Sequence, residues 1–116
     1  MVPAPPFIQR QASDPLYAGD MPEAFHKCMA CHTSGKDAPN GIGPNLWGVF
    51  GARAGARPGY RSSDALASSG LTWDRATLDR WLRGPIQFVP GSRMPMRGLA
   101  DPGDRRAVIA YLRSLE

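Results

Sequence analysis

Three residues able to bind a metal or a prosthetic group lie within five positions of one another, at Cys28, Cys31 and His32. The C-x-x-C-H spacing is that of a covalent attachment site for a c-type haem. Each thiol adds to one vinyl group, and residues three apart on a helix share a face, which suits two neighbouring vinyls. The adjacent imidazole can bind iron from the same side. The motif therefore predicts a haem held by two thioethers, with His32 as one axial ligand.

Other interpretations of the cysteines fit less well. A structural zinc site normally takes two ligand pairs from separate segments. The only further candidate ligand of this kind, His26, lies next to the motif, so the sequence has no second pair. A thioredoxin-type dithiol belongs to a strand–helix–strand context, and no strong strand pattern is present. A plain disulfide leaves the adjacent histidine unexplained. Zinc and dithiol chemistry remain the alternatives to haem.

Length and composition predict one small domain whose core is completed by a cofactor. The chain has 116 residues, including 13 glycines and 12 prolines, so its own apolar surface is modest. The formal net charge is +4. Because no nucleic-acid motif or dense basic run accompanies this charge, we expect no nucleic-acid partner. We expect a monomer whose partners are redox proteins with acidic docking patches.

The N-terminal segment, residues 1–19, is predicted to be a proline-rich tail or linker, followed by one domain over residues 20–116. The segment lacks the apolar stretch of an export signal, and the sequence contains no membrane span. Haem is generally attached to such motifs outside the bacterial inner membrane. We therefore expect a periplasmic protein whose signal or anchor is absent from this chain, or a domain of a longer protein.

Four helices are predicted, joined by loops of comparable length, which makes the fold class all-α. The expected starts are Asp20, Ser62 or Ser63, Thr72 and Asp101, each a residue that can cap a helix. In the last helix an apolar stripe is expected to be buried, formed by Val108, Ile109, Leu112 and Leu115. The loops 33–60 and 85–100 are rich in glycine and proline, and the longer one is expected to wrap the haem edge.

A second axial ligand must come from outside the motif. His26 lies on the wrong side of the ring and is expected at the surface. Met94 and Met96 lie in a late, proline-containing loop, whereas the other methionines belong to the tail, the first helix and the motif. A thioether suits Fe(II), and methionine–histidine ligation raises the reduction potential. Met94 and Met96 are therefore both candidates, with core filling as the ordinary alternative for a methionine.

Several ordered motifs give residues 20–115 a family resemblance. Besides the haem motif they are residues 43–48 (GPNLWG), 50–60, 70–73 (GLTW), 89–94 (VPGSRM) and 109–112 (IAYL). The chain resembles a class I cytochrome c, of the soluble bacterial and mitochondrial-like type. The resemblance implies a cytochrome c fold wrapped around one haem and an electron-transfer protein rather than an enzyme.

The resemblance also implies roles for individual residues. Met94 would be the sixth ligand of the iron. The carbonyl of Pro44 would accept a hydrogen bond from the ring of His32. Trp73 would donate its indole N–H to a haem propionate, and Tyr60 would help to close the same end of the pocket.

Some positions depart from the family pattern. Trp81 stands where a tyrosine is often found beside the methionine ligand. Ala52 stands where many relatives carry an arginine near the propionates, although Arg53 follows immediately. Leu66 replaces a frequent asparagine.

With both axial positions of the iron filled by protein side chains, no position is open to a substrate. One-electron exchange is therefore the expected function. The protein would shuttle electrons between a donor dehydrogenase or reductase and an acceptor such as an oxidase. Lys27, Lys36, Arg93 and Arg97 are candidates for steering toward acidic partners. The alternative is a haem domain in which Met94 is labile, acting as a peroxidase or gas sensor.

Overall fold

The computed structural model describes residues 16–116, so most of the predicted tail lies outside the described residues. The described chain forms a 3-10 helix, Glu23–Lys27, and four α-helices: α1 (Asp64–Ala67), α2 (Arg75–Arg83), α3 (Pro85–Phe88) and α4 (Pro102–Arg113). Within residues 16–116, extended pairing is limited to one antiparallel bridge between Arg53 and Thr72. No helix of this part is long and apolar enough to cross a membrane. The all-α prediction is confirmed.

Helix α4 begins where the sequence predicts. The Asp101 carboxylate accepts a hydrogen bond from the backbone N–H of Asp104 at 3.1 Å, and Pro102 occupies the first turn. The predicted apolar stripe is buried, from Val108 to Leu115. Through it α4 packs against α2 and against the 3-10 helix.

Helix α2 begins later than predicted, because a capping pair excludes Thr72 from the cap position. Asp74 accepts from the Thr77 N–H at 2.8 Å, and the Thr77 hydroxyl accepts from the Asp74 N–H at 2.9 Å. The helix ends at Arg83, with Gly84 as its C-cap, as expected. Pro85 then starts α3, a one-turn helix in a segment predicted to be loop, because proline is favourable in a first helical turn.

The predicted first helix is wrong in its start and its type. Asp20 has a φ of 35°, and the 3-10 helix that follows has Pro22 at its N-cap, with no side-chain cap. Phe25 is fully buried, with its ring centroid 4.7 Å from that of Tyr111 on α4. Packing by Phe25, rather than capping, therefore anchors the segment that leads into the cysteine motif.

The loop 33–60 is cross-linked by one buried side chain, in addition to its backbone turns. The Asn45 amide donates to the carbonyls of Gly35 at 2.9 Å and Ala38 at 2.7 Å. Its oxygen accepts from the Trp47 N–H at 2.6 Å. Asn45 therefore satisfies buried backbone groups that the turns of this loop leave unpaired.

Residues 16–18 are bonded to the rest of the chain. The Leu16 carbonyl accepts from the N–H groups of Ser34 and Gly35, at 2.8 and 2.9 Å. Ala18 donates to the Ser34 hydroxyl at 3.1 Å and accepts from the Tyr111 hydroxyl at 2.8 Å. The domain boundary at residue 20 remains a prediction, but residues 16–18 already contact the core.

Candidate haem site

A cavity of about 710 Å³ lies between the motif segment, the loop 33–60 and the faces of α2 and α4. This volume falls in the range of cofactor sites, roughly 300–1,000 Å³. Every residue predicted for the site contributes to its lining: Cys28, Cys31, His32, Pro44, Tyr60, Trp73, Trp81 and Met94. The fold thus brings to one cavity residues that are widely separated in the sequence.

The cysteines lie on one helical turn that follows the 3-10 helix. The N–H groups of Cys31 and His32 donate to the Cys28 carbonyl, at 3.1 and 2.9 Å, which places both thiols at the cavity. Burial, with a contribution from nearby Cys31, raises the pKa of the Cys28 thiol to about 11. Within residues 16–116, no group of three or more His, Cys, Asp or Glu side chains is arranged to hold a metal ion, so zinc finds no ligand set there.

The ring of His32 is oriented by a backbone carbonyl. His32 Nδ1 lies 2.8 Å from the Pro44 oxygen, and because a carbonyl only accepts, Nδ1 carries the proton and Nε2 keeps its lone pair. Burial lowers the pKa of His32, although the bond to Pro44 opposes this, so the ring is neutral at neutral pH. Gly43 is required here, since a Cβ would lie 2.5 Å from the imidazole.

Both candidate methionines border the cavity. Met94 and Met96 are half-buried on either side of Pro95 and contribute to its lining. The preceding residue, Arg93, donates to the Arg61 carbonyl and so ties this loop to the segment before α1. The loop is thus held against the cavity by contacts outside it.

Two tryptophans form the inner wall. The rings of Trp73 and Trp81 are buried, with centroids 5.3 Å apart and planes inclined by 60°. Neither indole N–H donates to an atom of residues 16–116, and no fully enclosed polar side-chain atom there lacks a partner. The two N–H groups therefore face accessible space, which suits a polar group of a bound cofactor.

The charges around the cavity fit an anionic cofactor. The lining contains four cationic side chains and no carboxylate: Lys27, Arg53, Arg57 and Arg93. Haem carries two propionates, which need cations or hydrogen-bond donors where they are removed from water. Most of the other lining residues are apolar and would pack against a macrocycle, so the residues present fit this group.

Arg57 was missed by the sequence analysis, which considered only Arg53 beside Ala52. The Arg57 guanidinium is half-buried and donates to the Trp47 carbonyl, whereas Arg53 is exposed. The bond joins two positions of an irregular loop, so no periodicity or motif signals it. Tyr60 borders the cavity too, but its hydroxyl donates to the Ile42 carbonyl at 2.9 Å.

Comparisons with known proteins agree with this geometry. The family model described as cytochrome c matches residues 22–116. Cytochrome c2 iso-2 of Magnetospirillum fulvum is 50% identical over 96 residues, which cover 83% of this chain and 99% of that protein. Cytochrome c2 of Rhodomicrobium vannielii is 49% identical over 90 residues, covering 78% and 72%.

A solved structure extends the likeness to the fold. Cytochrome cH from Methylobacterium extorquens is 49% identical and superposes with a TM-score of 0.74, over 79% of this chain and 92% of the other. The haem interpretation of the cysteine motif is thereby confirmed against zinc and dithiol chemistry. The chain belongs to the class I bacterial cytochromes c, which are electron-transfer proteins, not enzymes, and carry a covalently attached haem c.

Proposed function

We propose that this protein is a one-electron carrier whose haem iron is bound by His32 and Met94. The observation that supports this best is the shared cavity, to which the attachment motif and the late methionine loop both contribute. The hydrogen bond from His32 Nδ1–H to the Pro44 carbonyl adds to the support, because it leaves Nε2 as the ring nitrogen whose lone pair is free to bind iron.

Each part of the chain has a distinct task in this proposal. The haem, when bound, supplies an iron that alternates between Fe(III) and Fe(II). Cys28 and Cys31 hold the group covalently, and the Met94 thioether, a soft neutral donor, favours the reduced state. The buried side chains of α2 and α4 exclude water from the cavity, which limits solvent reorganisation when the charge changes.

The family relationship supports a proposal for the partners and the compartment. We propose that the protein takes electrons from a dehydrogenase or reductase and passes them to an acceptor such as an oxidase. The c2 and cH relatives are bacterial cytochromes, which supports a periplasmic location for this chain as well. The positive net charge supports acidic docking patches on the partners, and we propose a monomer.

The ligand set is tested by absorption spectroscopy of the ferric holoprotein. The weak far-red band of methionine sulfur bound to ferric iron should be present in the wild type. It should disappear in Met94→Ala and persist in Met96→Ala, because only one thioether occupies the axial position. Met96→Ala is the matched control, since both residues lie in the same loop and border the cavity.

Two outcomes would contradict the proposal. High-spin ferric iron, or immediate binding of CO to the reduced protein, would show that Met94 is not a firm ligand and would favour peroxidase or sensor activity. Loss of the band in Met96→Ala but not in Met94→Ala would show that Met96, rather than Met94, is the axial ligand.

A further inference from the structure

Two hydrogen bonds, which we call the rim clamp, join two parts of the loop 33–60 at the edge of the haem cavity. The side-chain amide of Asn40 donates to the Pro58 carbonyl at 3.3 Å, and the Tyr60 hydroxyl donates to the Ile42 carbonyl at 2.9 Å. Ile42, Pro58 and Tyr60 border the cavity. The rim clamp therefore fixes the path of the chain at this edge of the cavity.

One residue of the rim clamp, Asn40, belongs to a chemically labile pair with Gly41. Asparagine is a thermolabile residue, and it reacts most readily before glycine. A glycine has no side chain to keep its backbone nitrogen away from the preceding side-chain amide. The chain's other asparagine, Asn45, precedes the branched Leu46, which hinders this approach. Gly41 is exposed and Asn40 is half-buried, so water reaches the labile pair.

The folded conformation engages every atom that this reaction uses. The Gly41 N–H donates to the Gly43 carbonyl at 2.9 Å. Asn40 Oδ1 accepts from the Asn45 N–H at 2.7 Å, and Asn40 Nδ2 is held by the Pro58 carbonyl. The amide can turn toward the backbone nitrogen of the next residue only after these bonds break. The reaction therefore requires a local opening of the folded chain at the rim clamp.

We propose that Asn40 is a site of spontaneous deamidation whose rate is set by opening of the rim clamp. The backbone nitrogen of Gly41 loses its proton to a base in the solvent and forms a bond to Asn40 Cγ. The bond from Cγ to Nδ2 breaks, and Nδ2 takes up a proton and leaves as ammonia. Water then opens the succinimide ring at either carbonyl, which yields aspartate or isoaspartate. No electrons are exchanged, and water is the only co-reactant.

Neither product can restore the rim clamp. A carboxylate has no N–H to donate to the Pro58 carbonyl. Isoaspartate also adds a methylene to the main chain next to Gly41, where space is short, because a Cβ on Gly41 would lie 2.8 Å from the Cys31 carbonyl oxygen. The same carbonyl accepts from the Gly43 N–H at 2.8 Å, and Gly43 lies against the His32 ring. Deamidation therefore makes the opening permanent and weakens the support of the imidazole.

Mass spectrometry of the ferric holoprotein, incubated in mildly alkaline buffer and then digested with trypsin, tests this proposal. The peptide of residues 37–53 contains both asparagines, so Asn45 is an internal control that should stay unmodified. Conversion of Asn40 should be about tenfold or more faster when the holoprotein is unfolded in denaturant. In folded Tyr60→Phe, which lacks one bond of the rim clamp, conversion should be about threefold or more faster than in the folded wild type.

The matched control is Tyr17→Phe, which removes a hydroxyl that donates to the Met29 carbonyl at 3.2 Å, outside the rim clamp, and should leave the rate unchanged. Equal rates in Tyr60→Phe and Tyr17→Phe would overturn control by the rim clamp, as would equal rates in the folded and unfolded wild type. An unmodified Asn40 in the unfolded holoprotein would overturn the site itself. The comparison of folded and unfolded wild type decides the proposal even where Tyr60→Phe does not fold.

Discussion

The two walls of the haem cavity are stabilised in different ways. The loop wall, residues 33–60, has no regular helix and is held by scattered backbone turns and by hydrogen bonds from the buried Asn45 to backbone groups. The helical wall consists of α2 and α4, which meet through buried aliphatic side chains such as Leu82 and Leu112. One wall thus depends on a few directional bonds and the other on many non-directional contacts.

This difference bears on function, because the walls hold different parts of the site. The loop wall includes Pro44, whose carbonyl orients His32, so a small change in its path alters the direction of Nε2. The helical wall excludes water but orients no ligand directly. Damage to the helical wall should therefore appear mainly as lost stability, and damage to the loop wall should also appear in the iron spectrum.

The largest expected effect is in the helical wall, at Leu112, which is 3% exposed and borders the cavity. Leu112→Ala should lower the free energy of unfolding of the ferric holoprotein by about 2–5 kcal/mol, from lost burial and the space left behind. Denaturant titration followed by circular dichroism measures this. Leu112→Met, which nearly conserves volume, should cost less than about 1.5 kcal/mol. Equal costs for both variants would show that packing at this position is not specific.

In the loop wall, Asn45→Ala should cost about 2–3 kcal/mol, because the carbonyls of Gly35 and Ala38 and the N–H of Trp47 lose a buried partner. Asn45→Asp keeps the acceptor to Trp47 and loses both donors, so it separates the two contributions. Absorption spectra of both variants should change as well, unlike that of Leu112→Ala. A stable Asn45→Ala variant with an unaltered spectrum would contradict this role.

The smallest effect concerns Tyr111, which joins the two walls. Its hydroxyl donates to the Ala18 carbonyl at 2.8 Å, so the Ser34 hydroxyl, 2.7 Å away, donates to it. Burial raises the pKa of Tyr111 in the folded protein, although the bond from Ser34 opposes this. The unfolded chain therefore loses the tyrosine proton first, and this stabilisation, complete below about pH 10, is lost as pH rises through the folded-state pKa.

Thermal unfolding between pH 8 and pH 11 of wild type and Tyr111→Phe measures this effect. The difference in midpoint between the two proteins should be largest near pH 8 and should shrink as the pH rises. Other groups titrate in the same range, so the difference between the variants, rather than either profile alone, carries the result. Parallel profiles would show that titration of this hydroxyl does not contribute to the pH dependence of stability.

Local signals predicted the helices with uneven success, for physical reasons. The cap at Asp101 and Pro102 is a contact within one turn, so α4 could be predicted from its own residues. At α2 two local caps compete, and the reciprocal pair of Asp74 and Thr77 satisfies more backbone groups than Thr72 alone. The single turn α3 has too few residues for a periodic pattern, and its flanking glycine and proline predict a loop.

The attachment chemistry could be deduced from the sequence alone, because Cys28, Cys31 and His32 are neighbours in the chain and need no distant contact to form their motif. Motifs of the same local kind also carried the family resemblance. The tertiary structure decided the arrangements that join distant segments: the bond from the half-buried Arg57 to the Trp47 carbonyl, the bonds of Asn45, and the close approach of Gly98 to the Arg83 carbonyl. Such contacts depend on how irregular loops pack, and no spacing in the sequence encodes that packing.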